Sequence, residues 1–281
     1  MKQRIHYLKN ITVLGSADPG AKEDAAGTAY AEAPATVDIP FTAENGTLYV
    51  ATHDADKKKL AESGIPFVVY VDTLTYSGST FFDGAKYVLE GEGEFDPDDF
   101  DPEELEKIYR RLKKIPWDIL ETDRCVIKET SSDDLDEFYS IYADPYITRF
   151  TEDLMERSEE EKYTENYRDL IYEIYGHGIW TIIKKDTNEI IGRAGLDERA
   201  GFDTPELGFV IGKPWQKQGY AYEVCNAILS WAAENDISEI MSLTEKENAE
   251  AVKLLKKLGF SEQNPVSIGT SEYVRFIYAV K

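Results

Sequence analysis

The chain has 281 residues, 42% of them apolar, with 31 basic and 54 acidic side chains and a formal net charge of −23. That length holds one large domain or two small ones, each able to bury a core, and the apolar fraction excludes a disordered chain. The acidic excess is shared, net −10 over residues 1–121 and net −13 over residues 122–281, so nucleic acid is not an expected partner and cationic partners are favoured.

At the amino end Lys2, Arg4 and Lys9 precede a short apolar run, Ile11 to Leu14, which stops at Gly15-Ser16-Ala17-Asp18. The run is too short for a secretory signal, and no later run approaches the ~20 apolar residues of a membrane helix. A cytoplasmic protein without a membrane partner is expected. Residues 1–47 read as an irregular segment, rich in Ala, Gly, Thr and Pro from 15 onward. Order begins with a strand at Leu48–Ala51. A helix from Asp54 to Ser63 follows, with Asp54 as candidate N-cap and Gly64 as its stop. Strands are expected at Ile65–Val71 and Lys86–Leu89. Pro102 to Lys114 reads as a helix with a prolyl first turn, acidic start and basic end. Residues 48–116 thus form a small α/β module.

Pro116 to Asp123 reads as a junction. Beyond it a strand starts at Cys125, and a helix capped by Ser131 or Ser132 runs to Tyr142. A longer helix spans Ser158–Tyr175. Ile179–Ile183, Ile190–Leu196 and Leu207–Ile211 are successive strands. A helix at 219–234, a strand at Glu239–Leu243 and a helix at 249–258 headed by Asn248 and stopped by Gly259 come next. Strands near Val266–Ile268 and Tyr273–Val280 close the chain. The two cysteines, Cys125 and Cys225, fall on apolar positions and read as buried thiols rather than a disulfide or metal pair. His6, His53 and His177 have no ligand-like spacing, so no metal is expected.

The turn between Ile211 and the helix at 219 carries the most chemistry. Gln216-Lys217-Gln218-Gly219-Tyr220-Ala221 has neither the three glycines of a dinucleotide-binding turn nor the Lys-Ser or Lys-Thr pair of a P-loop. Its small residues at 219 and 221 leave first-turn helix amides unobstructed, a geometry that binds anions. An ordinary strand-to-helix turn has the same outline, and both readings stand at this level.

The order strand–helix–helix–three strands–turn–helix–strand–helix–strand–strand, with Q-x-x-G-x-A at the exit of the fourth strand, resembles the Gcn5-related N-acetyltransferase (GNAT) superfamily. It is most similar to the ribosomal-protein-alanine-acetyltransferase-like branch. LETDRCVIKETSSDDLDEFYSIYAD (120–144), IIGRAGL (190–196), PELGFVIGKPWQKQGYAYEV (205–224) and ENAEAVKLLKKLGF (247–260) carry the resemblance, over residues 120–281. It implies an α/β (α+β) fold with a mixed, mostly antiparallel twisted sheet flanked by helices, beside the smaller N-terminal α/β module. It implies an acyltransferase that moves acetyl from acetyl-CoA to a primary amine by direct attack in a ternary complex, without a metal. The CoA diphosphate would lie on the amides of Gln216, Lys217, Gln218, Gly219, Tyr220, Ala221 and Tyr222. The pantetheine arm would pair with Phe209, Val210 and Ile211, with the Val210 amide donating to the thioester oxygen. Asn248 would contact the donor, cap its helix, or do both.

A lysine-like amine has a pKa of ~10.4, about three units above neutral pH, so presenting it as a free nucleophile costs roughly 4 kcal/mol unless a base takes the proton. Glu206, two residues before Gly208, is the candidate base. The superfamily's usual proton-donating tyrosine is replaced by Leu255, and Ala251 stands where the branch often has serine. These departures leave the general acid unassigned and support an alternative, an acetyl-CoA-binding sensor or interaction module. Acceptor specificity is not encoded in a readable motif. A small cationic amine or a peptide amino terminus fits the charge, since no basic cluster for an anionic acceptor is evident. A homo-oligomer is compatible with the sequence. The acidic run at 92–104 lacks calcium-loop spacing and reads as an approach to the following helix. FVVYVDTLTY (67–76) resembles the strand-aspartate of haloacid-dehalogenase-type α/β proteins, but Leu74 stands where their second aspartate belongs.

Overall fold

The computed structural model describes residues 8–14, 46–76 and 85–280, and the chain divides into two compact units, 1–115 and 116–281. In the first unit, strands β1 (Asn10–Leu14), β2 (Thr47–Ala51), β3 (Phe67–Asp72) and β4 (Val88–Gly91) form a parallel sheet in that order. Helix α1 (Asp54–Glu62) and helix α2 (Pro102–Leu112) complete it. The strands are apolar on both faces because both are covered. Tyr49, Ala51, Val69 and Val71 join the cluster of Leu60, whereas Leu48, Val50, Val68, Tyr70 and Leu89 join Leu105, Ile108 and Tyr109 of α2.

Two expectations for this unit are corrected, and a third, the acidic approach to the second helix, holds. Asn10–Leu14, assigned to an irregular segment, is an edge strand paired with β2; residues 1–7 and 15–45 of that segment lie outside the described residues. The N-cap of α1 is His53, with Asp54 already in the first turn and ion-paired to Lys57 at 3.3 Å. The acidic run at 92–104 serves caps: Asp96 accepts from the Asp98 amide ahead of a short 3-10 turn, and Asp101 accepts from the Glu103 amide at the start of α2.

In the second unit, β5 (Asp118–Glu121), β6 (Cys125–Glu129), β7 (Ile179–Lys184), β8 (Ile190–Asp197) and β9 (Glu206–Ile211) form an antiparallel meander. β10 (Glu239–Thr244) adds parallel to β9. β11 (Ser261–Glu262) and β12 (Val266–Ile268) each pair with β13 (Ser271–Ala279), which closes on β10. The first helices are α3 (Leu135–Tyr142), α4 (Pro145–Thr148), α5 (Arg157–Tyr167) and α6 (Glu173–Tyr175), and α7 (Tyr220–Glu234) and α8 (Ala249–Leu258) follow. The core joins Ile127, Trp180, Ile182, Leu196 and Leu207 of the sheet to Val224, Cys225, Ile228 and Leu229 of α7 and Leu255 of α8. Asp118–Glu121, assigned to a junction, is a strand of this sheet.

The single helix expected over 158–175 is interrupted by a π-turn at Arg168–Tyr172. The cause is a pair of tyrosines five residues apart. The Tyr167 hydroxyl accepts from the Ile179 amide at 2.9 Å, and the Tyr172 hydroxyl donates to the Ile179 carbonyl. In a regular α-helix residues i and i+5 diverge by ~140°, whereas the wider i→i+5 turn brings them to one side. β8 also approaches its neighbour closely. A Cβ on Gly195 would stand 1.9 Å from the Gly178 carbonyl oxygen, so only glycine fits there.

Candidate active site

Strands β9 and β10 start as neighbours and then part. The Met241 amide donates to the Pro205 carbonyl at 3.0 Å, and the Ser242 hydroxyl reaches the Leu207 carbonyl at 2.9 Å. Their backbone register holds at Glu206 and Met241 alone. Beyond it the β10-side edge of β9 is open.

The alternation of a strand decides which residues use that edge. Gly212 donates to Ile191 of β8 at 2.8 Å, and the continuous register pairs Val210 with Arg193. The Val210 carbonyl lies against Gly192. Val210 therefore spends its backbone groups on β8. The expected role of the Val210 amide as thioester donor is thus corrected: Phe209 and Ile211 turn toward the open edge. The Gln216 carboxamide confirms the phase by donating to the Ile211 carbonyl at 2.8 Å.

The turn after β9 is built to leave amides exposed. Gly219 is the N-cap of α7 at φ 88°, a left-handed conformation that disfavours any side chain, and no side chain caps the helix. The first acceptor in the helix is the Gly219 carbonyl, reached by Glu223 at 3.0 Å. The amides of Tyr220, Ala221 and Tyr222 precede it and have no intrahelical acceptor. Gln216 differs from expectation. Its amide donates to Lys213 at 3.4 Å and its side chain to Ile211, so it ties the turn to β9 rather than offering an anion donor. The Gln218 side chain donates to Pro214 at 2.8 Å, and Gln218 does not line the adjacent cleft.

Two clefts meet at Phe209, Val210, Asn248 and Ala251. One, about 590 Å³, contains Ile211, Gln216, Lys217, Gly219, Tyr220, Ala221 and Tyr222, with Lys253 and Lys257 of α8 beside them. The Lys257 ammonium sits 3.9 Å from the centre of the Tyr222 ring, and that of Lys213 is 3.5 Å from Tyr146. The other, about 750 Å³, holds Glu206, Asp197 and Glu160. Glu206 is already engaged. Arg199 pairs with its Oε2 at 2.8 Å, and the Leu243 amide donates to Oε1 at 3.3 Å. Asp197, its register partner on β8, accepts from the Tyr167 hydroxyl at 2.6 Å. Burial first, then the Asp197 charge and that hydrogen bond, drive the Tyr167 phenol far above its ordinary range, so it stays a neutral donor.

The Asn248 side chain caps α8 by accepting from the Ala251 amide at 3.2 Å, while Asn248 also lines both clefts. Leu255 is fully buried beside the larger one and has no proton to give. The expectation of no basic cluster is corrected, because Arg149, Arg193 and Arg199 line that cleft. Arg193 Nε donates to the Tyr142 hydroxyl at 2.7 Å, with its guanidinium 4.8 Å from that ring. These arginines are spread over more than fifty residues, so no local run announces them.

Arg124 is a further residue hidden from the sequence. It grips the turn from β6's approach, donating to the Gln218 carbonyl at 3.1 Å and to Glu223 at 2.6 Å, with its guanidinium 4.1 Å over Tyr220. The Glu223 hydrogen bond raises the Arg124 pKa above its ordinary value. Its partners lie 94 and 99 residues away.

Residues 124–261 match the family model for an acetyltransferase (GNAT) domain. The second unit, hereafter the GNAT unit, is similar over those residues to a GNAT acetyltransferase domain. An uncharacterized N-acetyltransferase of Bacillus subtilis (strain 168), YjdG, is 32% identical over 111 residues, 38% of this chain and 62% of its own length. The chain therefore spans less than two thirds of that relative. A second from the same organism, YoaA, is 26% identical over 149 residues, covering 52% of this chain and 84% of its own. Among solved structures, the GNAT unit shares its fold with a ribosomal-protein-S5-alanine acetyltransferase from Vibrio fischeri at TM-score 0.50 and 13% identity. That match covers 57% of this chain and 96% of the other. RimL, a ribosomal L7/L12 α-N-protein acetyltransferase solved with coenzyme A, matches at TM-score 0.50 and 10% identity over 58% of this chain and 98% of its own.

Proposed function

We propose that the GNAT unit transfers acetyl from acetyl-CoA to a primary amine by direct attack with both substrates bound. The observation that carries this is the continuity of the site: an uncapped helix turn, an open strand edge and a carboxylate line adjoining clefts in that order.

The residues present suit coenzyme A. The amides of Gly219 to Tyr222 and the ammonium groups of Lys217, Lys253 and Lys257 would hold its diphosphate. The backbone groups of Phe209 and the amide of Ile211 would pair with the pantetheine arm, and the Phe209 amide takes the thioester-oxygen role first given to Val210. Asn248 stands where the two clefts meet. The acetyl thioester supplies an electrophilic carbonyl carbon. The acceptor nitrogen forms the new bond to that carbon as the carbon–sulfur bond breaks. Glu206 takes one ammonium proton, directly or through water; nitrogen loses its second proton to solvent or to the departing sulfur as the amide forms, and the electron pair of the broken bond leaves on sulfur. A thiol of ordinary pKa ~8.5 is a tolerable leaving thiolate, so the missing tyrosine at 255 does not forbid turnover. The acceptor is a small cationic amine or a peptide amino terminus. No helix among the described residues is long and apolar enough to cross a membrane.

Leu255 favours one alternative, a sensor or interaction module that binds acetyl-CoA without transferring. Thiol release from acetyl-CoA over a panel of amines separates the two. Release that depends on the amine supports transfer; tight coenzyme A binding with no release on every amine supports the sensor. For the first unit no catalytic role is proposed. Asp72 of β3 spends both carboxylate oxygens on the Leu74 and Gly93 amides and the Thr75 hydroxyl.

A further inference from the structure

The larger cleft contains a buried carboxylate without a counter-charge. Glu160, near the start of α5, is 5% exposed and lines that cleft. Its Oε2 accepts from the Met155 amide at 3.1 Å; among the described residues no other hydrogen bond and no ion pair reaches it. Withdrawing a carboxylate from water is costly unless a cation or several donors compensate it. Arg149, which lines the same cleft, stands over the Phe150 ring at 4.8 Å, and the other nearby cations are committed elsewhere. Arg157 binds Asp136 and Glu161, Arg199 binds Glu206, and Arg193 lies on Tyr142.

The walls around Glu160 suit a cation. Tyr142 and Tyr163 line the same cleft. Burial raises both phenols above their ordinary pKa; Arg193 offsets part of that rise in each, and the Glu160 charge adds a smaller contribution to it. A cleft that presents a carboxylate together with an aromatic ring attracts ammonium groups through charge and the ring quadrupole together. Glu206 and Asp197 line the same space, which at about 750 Å³ falls in the ~300–1,000 Å³ range of small-molecule sites.

We propose that Glu160, with Tyr163 one turn further along α5, seats a second cationic group of the acceptor, which is therefore a small diamine or polyamine. One amine is held at Glu160 while the other is presented to Glu206 and the open edge of β9. The identity of the reacting amine rests on the transfer reading above; the cation seat rests on Glu160.

The test is calorimetric titration of the full chain with α,ω-diaminoalkanes of increasing length, each compared with the n-alkylamine of equal length. At one length the diamine should bind at least tenfold more tightly than its monoamine. Glu160→Gln keeps an oxygen for the Met155 amide and removes only the charge, so the preference should fall toward one, and Glu160→Asp should restore part of it. Tyr163, 48% exposed, can be changed to leucine without opening the core, and that variant should lose preference severalfold even where Glu160→Gln folds poorly. Equal binding of diamine and monoamine by the unaltered protein, no diamine binding, or an unchanged preference in the variants overturns the proposal. Thiol release from acetyl-CoA is read in parallel. A charge-dependent diamine preference without release keeps the cation seat and overturns the transfer reading; release with no diamine preference does the reverse.

Discussion

Glu206 shows how one residue can be positioned by groups that also restrain it. Its place at the first position of β9 is fixed by Met241 and Asp197 on either side, and Arg199 and the Leu243 amide hold its two oxygens. A carboxylate so held cannot swing, which favours proton transfer to a fixed point or through a fixed water. Glu206→Gln keeps an acceptor for Leu243 and removes the proposed base. Amine transfer should fall by ~10²-fold or more near neutral pH and recover in part as pH approaches the amine pKa of ~10.4, where free amine is supplied by solvent. An unaltered pH–rate profile in that variant rejects the assignment. Glu206 could be found in the sequence because it sits two residues before a glycine in a matched stretch. Its partner Arg199 could not, because the ion pair depends on how the 198–205 loop folds back.

At the scale of elements, the strands and helices were legible where their signal is local. The short apolar run of β9 and the three-four spacing of α7 and α8 are written in consecutive residues. The short strands β5 and β11 were not, since four and two residues carry no period. The π-turn escaped because it is imposed by two tyrosines on a strand they meet only after folding. The phase of β9 escaped for a related reason. Phe-Val-Ile is apolar throughout, and only the register with β8 tells which amides face the open edge. The turn at Gly219 was legible as a helix start with unobstructed amides, though not its clamp by Arg124. It invites a paired substitution. Gly219→Ala adds a side chain at φ 88° and tests backbone strain alone, on the order of 1–2 kcal/mol. Gly219→Glu adds a carboxylate where an anion is proposed to sit. Coenzyme A affinity by calorimetry should drop at least tenfold further in the glutamate variant than in the alanine variant, ~1.4 kcal/mol. Equal affinities in the two variants would place the diphosphate elsewhere.

At the scale of the molecule, charge is the property that composition conveys most directly and the fold refines. Residues 122–281 carry net −13, and the larger cleft concentrates carboxylates of which Glu206 alone is matched by a cation within ion-pair distance among the described residues. Arg149 and Arg193 temper this field without reversing it, because the cleft also holds Glu152, Asp153, Glu160, Asp197 and Glu245. Such a field draws cations inward and weakens as salt shortens the Debye length from ~10 Å at 0.1 M to ~3 Å at 1 M. For a dicationic acceptor, kcat/KM should therefore fall as salt rises while kcat stays nearly constant, because encounter is screened and the chemistry inside the cleft is not. The slope should be steeper for a diamine than for the monoamine of equal length, since two charges are steered instead of one. Initial rates at fixed pH from 0.05 to 1 M sodium chloride measure both. A rate indifferent to salt, or an acidic acceptor turned over faster than any amine cation, would show that the acidic surface does not select the substrate.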